Sequence, residues 1–317
     1  MDLTQMTREI EQYVIDLRRE FHAHPELSYH EERTTARIRE ELDRWNIPHE
    51  TVGHGNVVGL LDTGRPGKSL AIRADIDALP MDEPDKSRPY CSRVPGVMHS
   101  CGHDSHAAML LGTARVLSAI RDSLRGKVYF CFQVAEELGG GAPELVEYLQ
   151  AQGGVDGVIG THIDGGSDAG VIHLPDGPLM AGAHLYEITV QGSGGHGSRP
   201  DKAVDPIKPA CDILLKIAAI PAQYHNPFDT CVVSSCQIHA GSASNIIPET
   251  AVIGGNIRFF KYGDDELLLE RIRLVAENTA AAYGATATVT HSVGARFPVI
   301  NDPKMAALGR EVAQSVG

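Results

Sequence analysis

The chain has 317 residues, enough for two domains with proper cores, and its 28 Lys and Arg against 41 Asp and Glu give a net charge of −13. This acidic balance disfavours binding to nucleic acid or to an anionic membrane surface. No run of about 18 apolar residues occurs, and residues 1–20 are charged throughout, so we expect a cytoplasmic protein without a membrane span or secretory signal. The six cysteines form no Cys-x-x-Cys pair, which argues against a disulfide framework or a zinc ribbon.

Amphipathic helices and buried strands alternate through the first half of the chain. Apolar stripes predict one helix from near Thr4 to His24 and another from about Glu31 to Trp45. The pattern then predicts strands at 56–61, 69–74, 127–134 and 155–160 and helices at 105–120 and 143–151. This alternation is typical of a doubly wound α/β sheet, in which ligands bind beyond the carboxyl ends of the strands. Several polar residues are therefore expected to gather at that edge: Asp75, Asp77, Glu136, Glu137 and His162.

The pattern changes near residue 183. Strands at 183–191, 230–239, 250–260 and 285–293 and helices at 203–219 and 264–283 give the order β-α-β-β-α-β, which is that of a ferredoxin-like α+β unit. The fold class expected is a doubly wound, mixed α/β sheet domain with this unit inserted. We expect a first domain over 1–182, the inserted domain over 183–293, and a return to the first domain over 294–317.

The densest cluster of candidate metal ligands lies at residues 98–106, with one thiol, three imidazoles and a carboxylate in nine residues. Cys101 and His103 flank a glycine, so a tight turn could aim both at one ion, and a thiolate with an imidazole is a good ligand pair for zinc-like metals. The structural alternative makes Asp104 or Ser105 a helix cap and Cys101 a buried apolar residue. For Asp104 and His106, support of the metal ligands and capping of the helix are equal alternatives.

Carboxylates and a histidine follow three of the predicted strands. The side chains of Glu136 and Glu137 point in different directions, so one could bind metal while the other faces a water, as metal-assisted hydrolysis requires. The alternative is a pair of solvated glutamates at a helix start. A lone histidine at a strand end is more often structural than a ligand, but His162 ends its strand at the same edge, which makes the two roles equal alternatives. Asp75 and Asp77 alternate, so only one faces the site, and we take Asp77 as support for a ligand imidazole.

The second domain carries a glycine-rich loop over residues 192–200 with His196 at its centre. The loop lacks the lysine of a nucleotide-binding loop and contains a proline, so we expect a mobile loop that brings His196 to a substrate. Asn245 and Arg258 add an amide and a guanidinium that could grip an amide substrate and its carboxylate. The equal alternatives are that Asn245 is a turn residue and that Arg258 is a surface charge.

Together these motifs resemble the aminoacylase, carboxypeptidase G and hippurate hydrolase group of metallopeptidases, and among them the N-acyl-amino-acid amidohydrolases and the plant auxin-conjugate hydrolases. The similarity spans almost the whole chain and rests on six segments in the order of that group: residues 17–35, 73–83, 96–112, 134–142, 194–200 and 242–249.

The resemblance implies a role for each matching residue. Cys101 would bridge two divalent metal ions, zinc or manganese, and the further ligands would be His103, Glu137 and His162. Glu136 would be the catalytic base, and His196 would cross a dimer interface to steady the oxyanion in the partner's site. Asn245 would contact the substrate, and Arg258 is a weaker match.

The resemblance also implies the reaction and its rivals. The expected reaction is metal-dependent hydrolysis of the amide bond of N-acyl amino acids by a homodimer that pairs through a lid domain, residues 183–293. The alternatives are a dipeptidase or carboxypeptidase with the same site, and a metal-binding homodimer without turnover. The group's usual continuation past residues 303–316 supplies a last histidine ligand, so we expect 294–317 to be truncated, with His106 as one possible substitute.

Overall fold

The computed structural model describes residues 2–293 and 297–316 and divides the chain into two compact units. Unit 1 runs to Val171, and unit 2 comprises Ile172–Ser315. The sequence placed this boundary at residue 182, eleven residues later. Gly294, where the third segment was predicted to begin, lies outside the described residues. Within the described ranges, no helix is both long and apolar enough to cross a bilayer.

Within the described residues, unit 1 contains five α-helices and five strands, and apart from β1, which was not predicted, they follow the predicted order. They are α1 (Leu3–Glu9), α2 (Glu11–Ala23), α3 (Glu32–Arg44), β1 (His49–Val52), β2 (Asn56–Asp62), β3 (Ser69–Asp75), α4 (His103–Ala119), β4 (Lys127–Gln133), α5 (Ala142–Ala151) and β5 (Gly157–Gly160). The prediction of a single helix from Thr4 to His24 is wrong at one point. The helix is interrupted at Ile10, whose N–H donates to the Thr7 carbonyl at 3.3 Å.

The sheet of unit 1 has the strand order β1-β2-β4-β3-β5 and is mixed. Strand β3 runs parallel to both β4 and β5, whereas β1 and β2 are antiparallel to their neighbours. The three parallel strands therefore end at one edge, at Asp75, Gln133 and Gly160. The mixed α/β architecture expected from the sequence is confirmed.

Helices cover both faces of this sheet because successive side chains of its strands alternate between two cores. On one face Phe130 and Phe132 of β4 pack in a cluster with residues of α2, α3 and α4. On the other face Tyr129 and Cys131 pack with Leu145 of α5. Full burial of a phenylalanine or leucine side chain in these clusters stabilises the fold by about 1.5–3 kcal/mol.

Unit 2 begins with a short strand and ends with a helix. Its elements are β6 (Gly177–Met180), β7 (Gly182–Gln191), β8 (Gly195–His196), α6 (Ile207–Ile217), α7 (Ile220–Tyr224), β9 (Cys231–Ala240), β10 (Ile246–Ile247), β11 (Thr250–Phe259), α8 (Asp264–Ala282), β12 (Thr286–Val293), β13 (Val299–Asn301) and α9 (Pro303–Val316). The predicted helix over 203–219 begins later, at Ile207.

Four antiparallel strands form the main sheet of unit 2, in the order β12-β7-β11-β9. Its core joins Ile188 and Ile253 of the sheet to Ile213 of α6 and Ile272 of α8. The segment after residue 296 also groups with unit 2. Strand β13 pairs with β6, and Arg310 of α9 bonds to the Leu174 carbonyl at 2.8 Å. This grouping differs from the predicted return of 294–317 to the first domain.

Candidate metal centre

The edge of the unit 1 sheet gathers the residues that the strand pattern pointed to. Asp75 and Asp77 stand at the end of β3, and Glu136 and Glu137 lie in a short 3-10 turn after β4. His162 comes two residues after β5. Cys101 and His103 join them from the amino end of α4. Four separate stretches of the chain thus supply polar side chains to one place.

Gly102 makes the turn between Cys101 and His103. Its φ of +88° lies in the left-handed region that L side chains rarely adopt, and a Cβ there would stand 2.1 Å from Cδ1 of Ile163. Only glycine fits both the backbone and the space. The tight turn lets α4 begin at His103 while Cys101 stays beside it.

The four predicted ligands and Glu136 lie close together. Nε2 of His103 is 3.8 Å from Oε1 of Glu137 and 3.9 Å from Oε2 of Glu136. Sγ of Cys101 is 3.3 Å from Nε2 of His162. Among the described residues, His103 belongs to three sets of possible metal ligands whose donor atoms lie within 4.8 Å of one another. Its partners are Cys101 and His162 in the first set, Glu136 and Glu137 in the second, and Asp75 and His106 in the third.

These residues fit divalent metal ions. The buried atoms His103 Nε2 and Glu137 Oε1 have no hydrogen-bond partner among the residues that the structure describes. Buried polar atoms are nearly always satisfied, so such a pair at one point calls for a group outside the protein chain. A thiolate, imidazoles and carboxylates are the donors that zinc and similar transition metals accept.

Asp77 holds two of these residues in place. Its Oδ1 lies 3.1 Å from Nδ1 of His103, and its Oδ2 accepts from the backbone N–H of Glu137 at 3.0 Å and from the Ser28 hydroxyl at 2.7 Å. With the proton of His103 on Nδ1, the lone pair of Nε2 faces the other donors. Burial raises the pKa of Asp77, but the hydrogen bonds from His103 and Ser28 outweigh it, so the pKa is lowered.

The charges of the site favour a bound cation. Burial and the charge of Glu137 raise the pKa of the Cys101 thiol to about 12, so the thiolate requires a cation beside it. Burial and the charge of Asp75 raise the pKa of Glu136. For His103, burial lowers the pKa, but the hydrogen bond to Asp77 and the charge of Asp75 raise it more.

One supporting residue was missed at the sequence level. Ala135 has a left-handed φ of +54°, and its N–H donates to Oε1 of the buried Glu31 at 2.8 Å. Gln133 fixes the other side of the same turn by donating to the Gly140 carbonyl at 2.7 Å. Glu31 lies within the motif segment 17–35, yet a lone carboxylate at a helix start carries no signal for a partner 104 residues away.

In unit 2 the structure brings His196 and Asn245 together. Strands β8 and β10 pair His196 with Ile246, and the N–H of Gly197 donates to the Asn245 carbonyl at 2.8 Å. Arg258 is not part of this cluster. It lies eight residues along β11 from Thr250, roughly 26 Å at 3.3 Å per residue, and is exposed.

The chain is similar to known proteins both in sequence and in structure. Residues 71–317 match the model of peptidase family M20/M25/M40. An N-acyl-L-amino acid amidohydrolase of Geobacillus stearothermophilus is 37% identical over 302 residues, covering 95% of this chain and 81% of that protein. Thermostable carboxypeptidase 1 of Saccharolobus solfataricus is 38% identical over 313 residues, covering 96% and 79%. The crystal structure of a dinuclear metal-binding M20 peptidase from Bacillus subtilis matches with a TM-score of 0.83 and 34% identity, covering 98% of this chain and 81% of that one. The resemblance seen in the motifs is confirmed.

Proposed function

Because the chain belongs to peptidase family M20/M25/M40, we propose that it is a metal-dependent amidohydrolase that cleaves N-acyl amino acids into a carboxylic acid and an amino acid. N-acetyl and N-benzoyl amino acids are the expected substrates. The observation that carries the proposal is a pair of buried ligand atoms, His103 Nε2 and Glu137 Oε1, that have no hydrogen-bond partner among the described residues. The carboxylate of Glu136 lies beside them, 3.9 Å from His103 Nε2.

The proposed cofactor is a pair of divalent ions, zinc or manganese. Cys101, His103, Glu137 and His162 would hold them. Two of the donor sets that include His103 support this number, the one with Cys101 and His162 and the one with Glu136 and Glu137, as does the dinuclear relative. When bound, such ions lower the pKa of a water and polarise the amide carbonyl.

Glu136 is the proposed general base. Its carboxylate is partly exposed and lies within 4 Å of His103, so it can reach a water at the site. Burial and the charge of Asp75 raise its pKa, which brings it closer to the neutral range where a base that must also release its proton works best. Glu136 would take the proton of the attacking water and pass it to the leaving amine.

His196 is the proposed oxyanion donor. Its Nδ1 accepts from the N–H of Ser198 at 3.2 Å, so the neutral ring carries its proton on the exposed Nε2. An N–H placed to meet the negative charge that develops on the carbonyl oxygen stabilises the transition state. Asn245, held beside it, would contact the substrate, whereas a role for Arg258 stays a prediction.

We further propose that the ferredoxin-like unit, residues 183–293, is a lid and pairs two copies of the chain. Strand β9 lies at the edge of its sheet and exposes Val232 and Ile238, which suits pairing with a second copy. Closure of such a lid would exclude bulk water from the reaction. The cytoplasmic location stays a prediction.

The test compares two neighbouring carboxylates. Glu136→Gln should lower the rate of amino acid release roughly 10²–10⁴-fold while metal content stays that of wild type, because only the base is lost. Glu137→Gln should lower metal content as well. Release from a panel of N-acyl amino acids is measured with added Mn²⁺ or Zn²⁺. No release by wild-type protein across the panel would overturn the proposal, and equal activity of wild type and Glu136→Gln would do so too.

A peptide substrate is the second candidate. The relative named thermostable carboxypeptidase 1 has the same level of identity as the amidohydrolase. The same site would cleave an N-acyl amino acid or a peptide. The group on the acyl side of the cleaved bond therefore decides between the two functions. Including dipeptides and N-blocked peptides in the panel separates the two: faster release from peptides than from N-acetyl amino acids would favour the carboxypeptidase or dipeptidase.

A further inference from the structure

His106 lies one turn after His103 on α4 and is fully buried. Its Nδ1 is 2.6 Å from Oδ1 of Asp75, and its Nε2 accepts from the backbone N–H of Ile163 at 3.0 Å. Because Nε2 is the acceptor, the proton lies on Nδ1 and is donated to Asp75. A neutral imidazole has one lone pair, and here Ile163 uses it. His106 therefore has no free donor atom for a metal, although it lies within 4.8 Å of donor atoms on Asp75 and His103.

The residue that His106 holds is the neighbour of a proposed ligand. The carbonyl of Ile163 accepts from Nδ1 of His162 at 2.7 Å, which leaves Nε2 of His162 turned toward Sγ of Cys101. The same residue thus bonds to His106 through its N–H and to the His162 ring through its carbonyl. Fixing Ile163 fixes the direction of the ligand ring.

The segment that contains Ile163 lies at the surface. Residues 161–164 are exposed, and β5 before them is exposed over three of its four residues. Segments with few buried contacts move readily unless hydrogen bonds to the core hold them. The Ile163 side chain also lies against Gly102, and the ring of His106 packs against the ring of His162 with centroids 4.7 Å apart.

Asp75 connects His106 to the second ligand-bearing segment. Nη1 of Arg73 is 2.8 Å from Oδ2 of Asp75, and Nε of Arg73 donates to Oε1 of Gln133 at 2.7 Å. Gln133 in turn donates to the carbonyl of Gly140, which closes the turn that carries Glu136 and Glu137. These contacts link the segment that contains Ile163 to the turn that carries Glu136 and Glu137.

We propose that His106 is a positioning residue: it aims His162 at Cys101 by holding the N–H of Ile163, and it does not bind metal itself. The inference rests on the proposed function, because it assigns His162 as a ligand. It differs from the sequence-level alternative that made His106 a substitute ligand.

The test compares His106→Ala with His106→Gln, whose amide can both donate to Asp75 and accept from Ile163. Mn²⁺ affinity and stoichiometry are measured by calorimetry, and Co²⁺ absorption reports whether the Cys101 thiolate binds. His106→Ala should weaken Mn²⁺ binding roughly 10–100-fold, the usual effect of losing a group that orients a ligand, and keep the wild-type number of ions at saturation. His106→Gln should restore most of the affinity.

The matched control is His225→Ala, which removes another buried histidine paired with an aspartate, Asp264 at 2.7 Å, in unit 2. It should leave Mn²⁺ affinity unchanged. Loss of one ion per chain in both His106 variants, or wild-type affinity in His106→Ala, overturns the inference. If His106→Ala does not fold, the stoichiometry of His106→Gln decides alone. Absence of metal binding by wild type would instead defeat the proposed function, and this inference with it.

Discussion

At the scale of single residues, Gly102 shows how the backbone sets the geometry of the proposed ligands. It stands between Cys101 and His103 with a positive φ, and its missing side chain leaves room for Ile163, the neighbour of His162. A single position therefore controls the spacing of three ligands. The backbone strain and the steric contact can be separated, because Gly96 shares a positive φ, +72°, but a Cβ at Gly96 would meet nothing within 4 Å.

Gly102→Ala is expected to reduce both stability and metal affinity. Gly96→Ala should cost only the left-handed backbone strain, about 1–2 kcal/mol in the free energy of unfolding, and leave Mn²⁺ binding unchanged. Gly102→Ala should cost more, because Ile163 must also shift and take His162 with it. Chemical denaturation and Mn²⁺ calorimetry measure the two effects. Equal losses in both variants would show that the contact with Ile163 is unimportant.

At the scale of elements, the turn between β4 and α5 depends on a buried carboxylate. Glu31 is 4% exposed, and it accepts from the N–H of Ala135 just before the proposed base. Burial raises the pKa of Glu31 more than its hydrogen bonds from the backbone lower it. Ionisation of Glu31 in the native state therefore costs stability, whereas its Oε1 stabilises the turn by accepting the hydrogen bond from Ala135.

Glu31→Gln and Glu31→Ala should separate charge from hydrogen bonding. In wild type, the native state keeps the Glu31 proton to a higher pH than the unfolded state, whose pKa is near 4.5. The contribution of Glu31 to stability therefore falls as pH rises from about 4.5 through the raised pKa. Glu31→Gln lacks this fall, so its stability relative to wild type should increase over that window and then stay constant.

Glu31→Ala is the companion variant. It leaves the buried N–H of Ala135 without its acceptor, which should cost about 1–3 kcal/mol relative to Glu31→Gln at every pH. Denaturation at a series of pH values measures both variants. A stability difference between Glu31→Gln and wild type that does not change with pH would contradict the raised pKa.

The same element shows what sequence reasoning could and could not reach. Glu136, Glu137 and His162 were placed at one edge because parallel strands end together, a rule that needs only the order of the strands. The Glu31–Ala135 bond joins segments 104 residues apart and follows no periodicity. The role of His106 stayed open for a similar reason, since the acceptor use of its Nε2 depends on the backbone of Ile163, which the sequence pattern does not fix.

At the scale of the whole molecule, each unit has its own core. Ile38 of α3 is fully buried in the core of unit 1, and Ile253 of β11 is fully buried in that of unit 2. The proposed ligands all belong to unit 1. Metal binding should therefore stabilise one unit directly, since a ligand that binds only the native state stabilises the part whose unfolding destroys its site.

Calorimetric unfolding with and without Mn²⁺ tests this separation. Mn²⁺ at about 100 times its dissociation constant should add about 2.7 kcal/mol to the stability of unit 1 and raise its transition alone. Ile253→Ala should destabilise unit 2 by about 2–5 kcal/mol and leave the Mn²⁺-dependent transition in place, whereas Ile38→Ala should lower that transition. The two substitutions remove the same atoms from equally buried sites, so each is the control for the other. A single transition that Mn²⁺ and both variants move together would show that the units unfold as one.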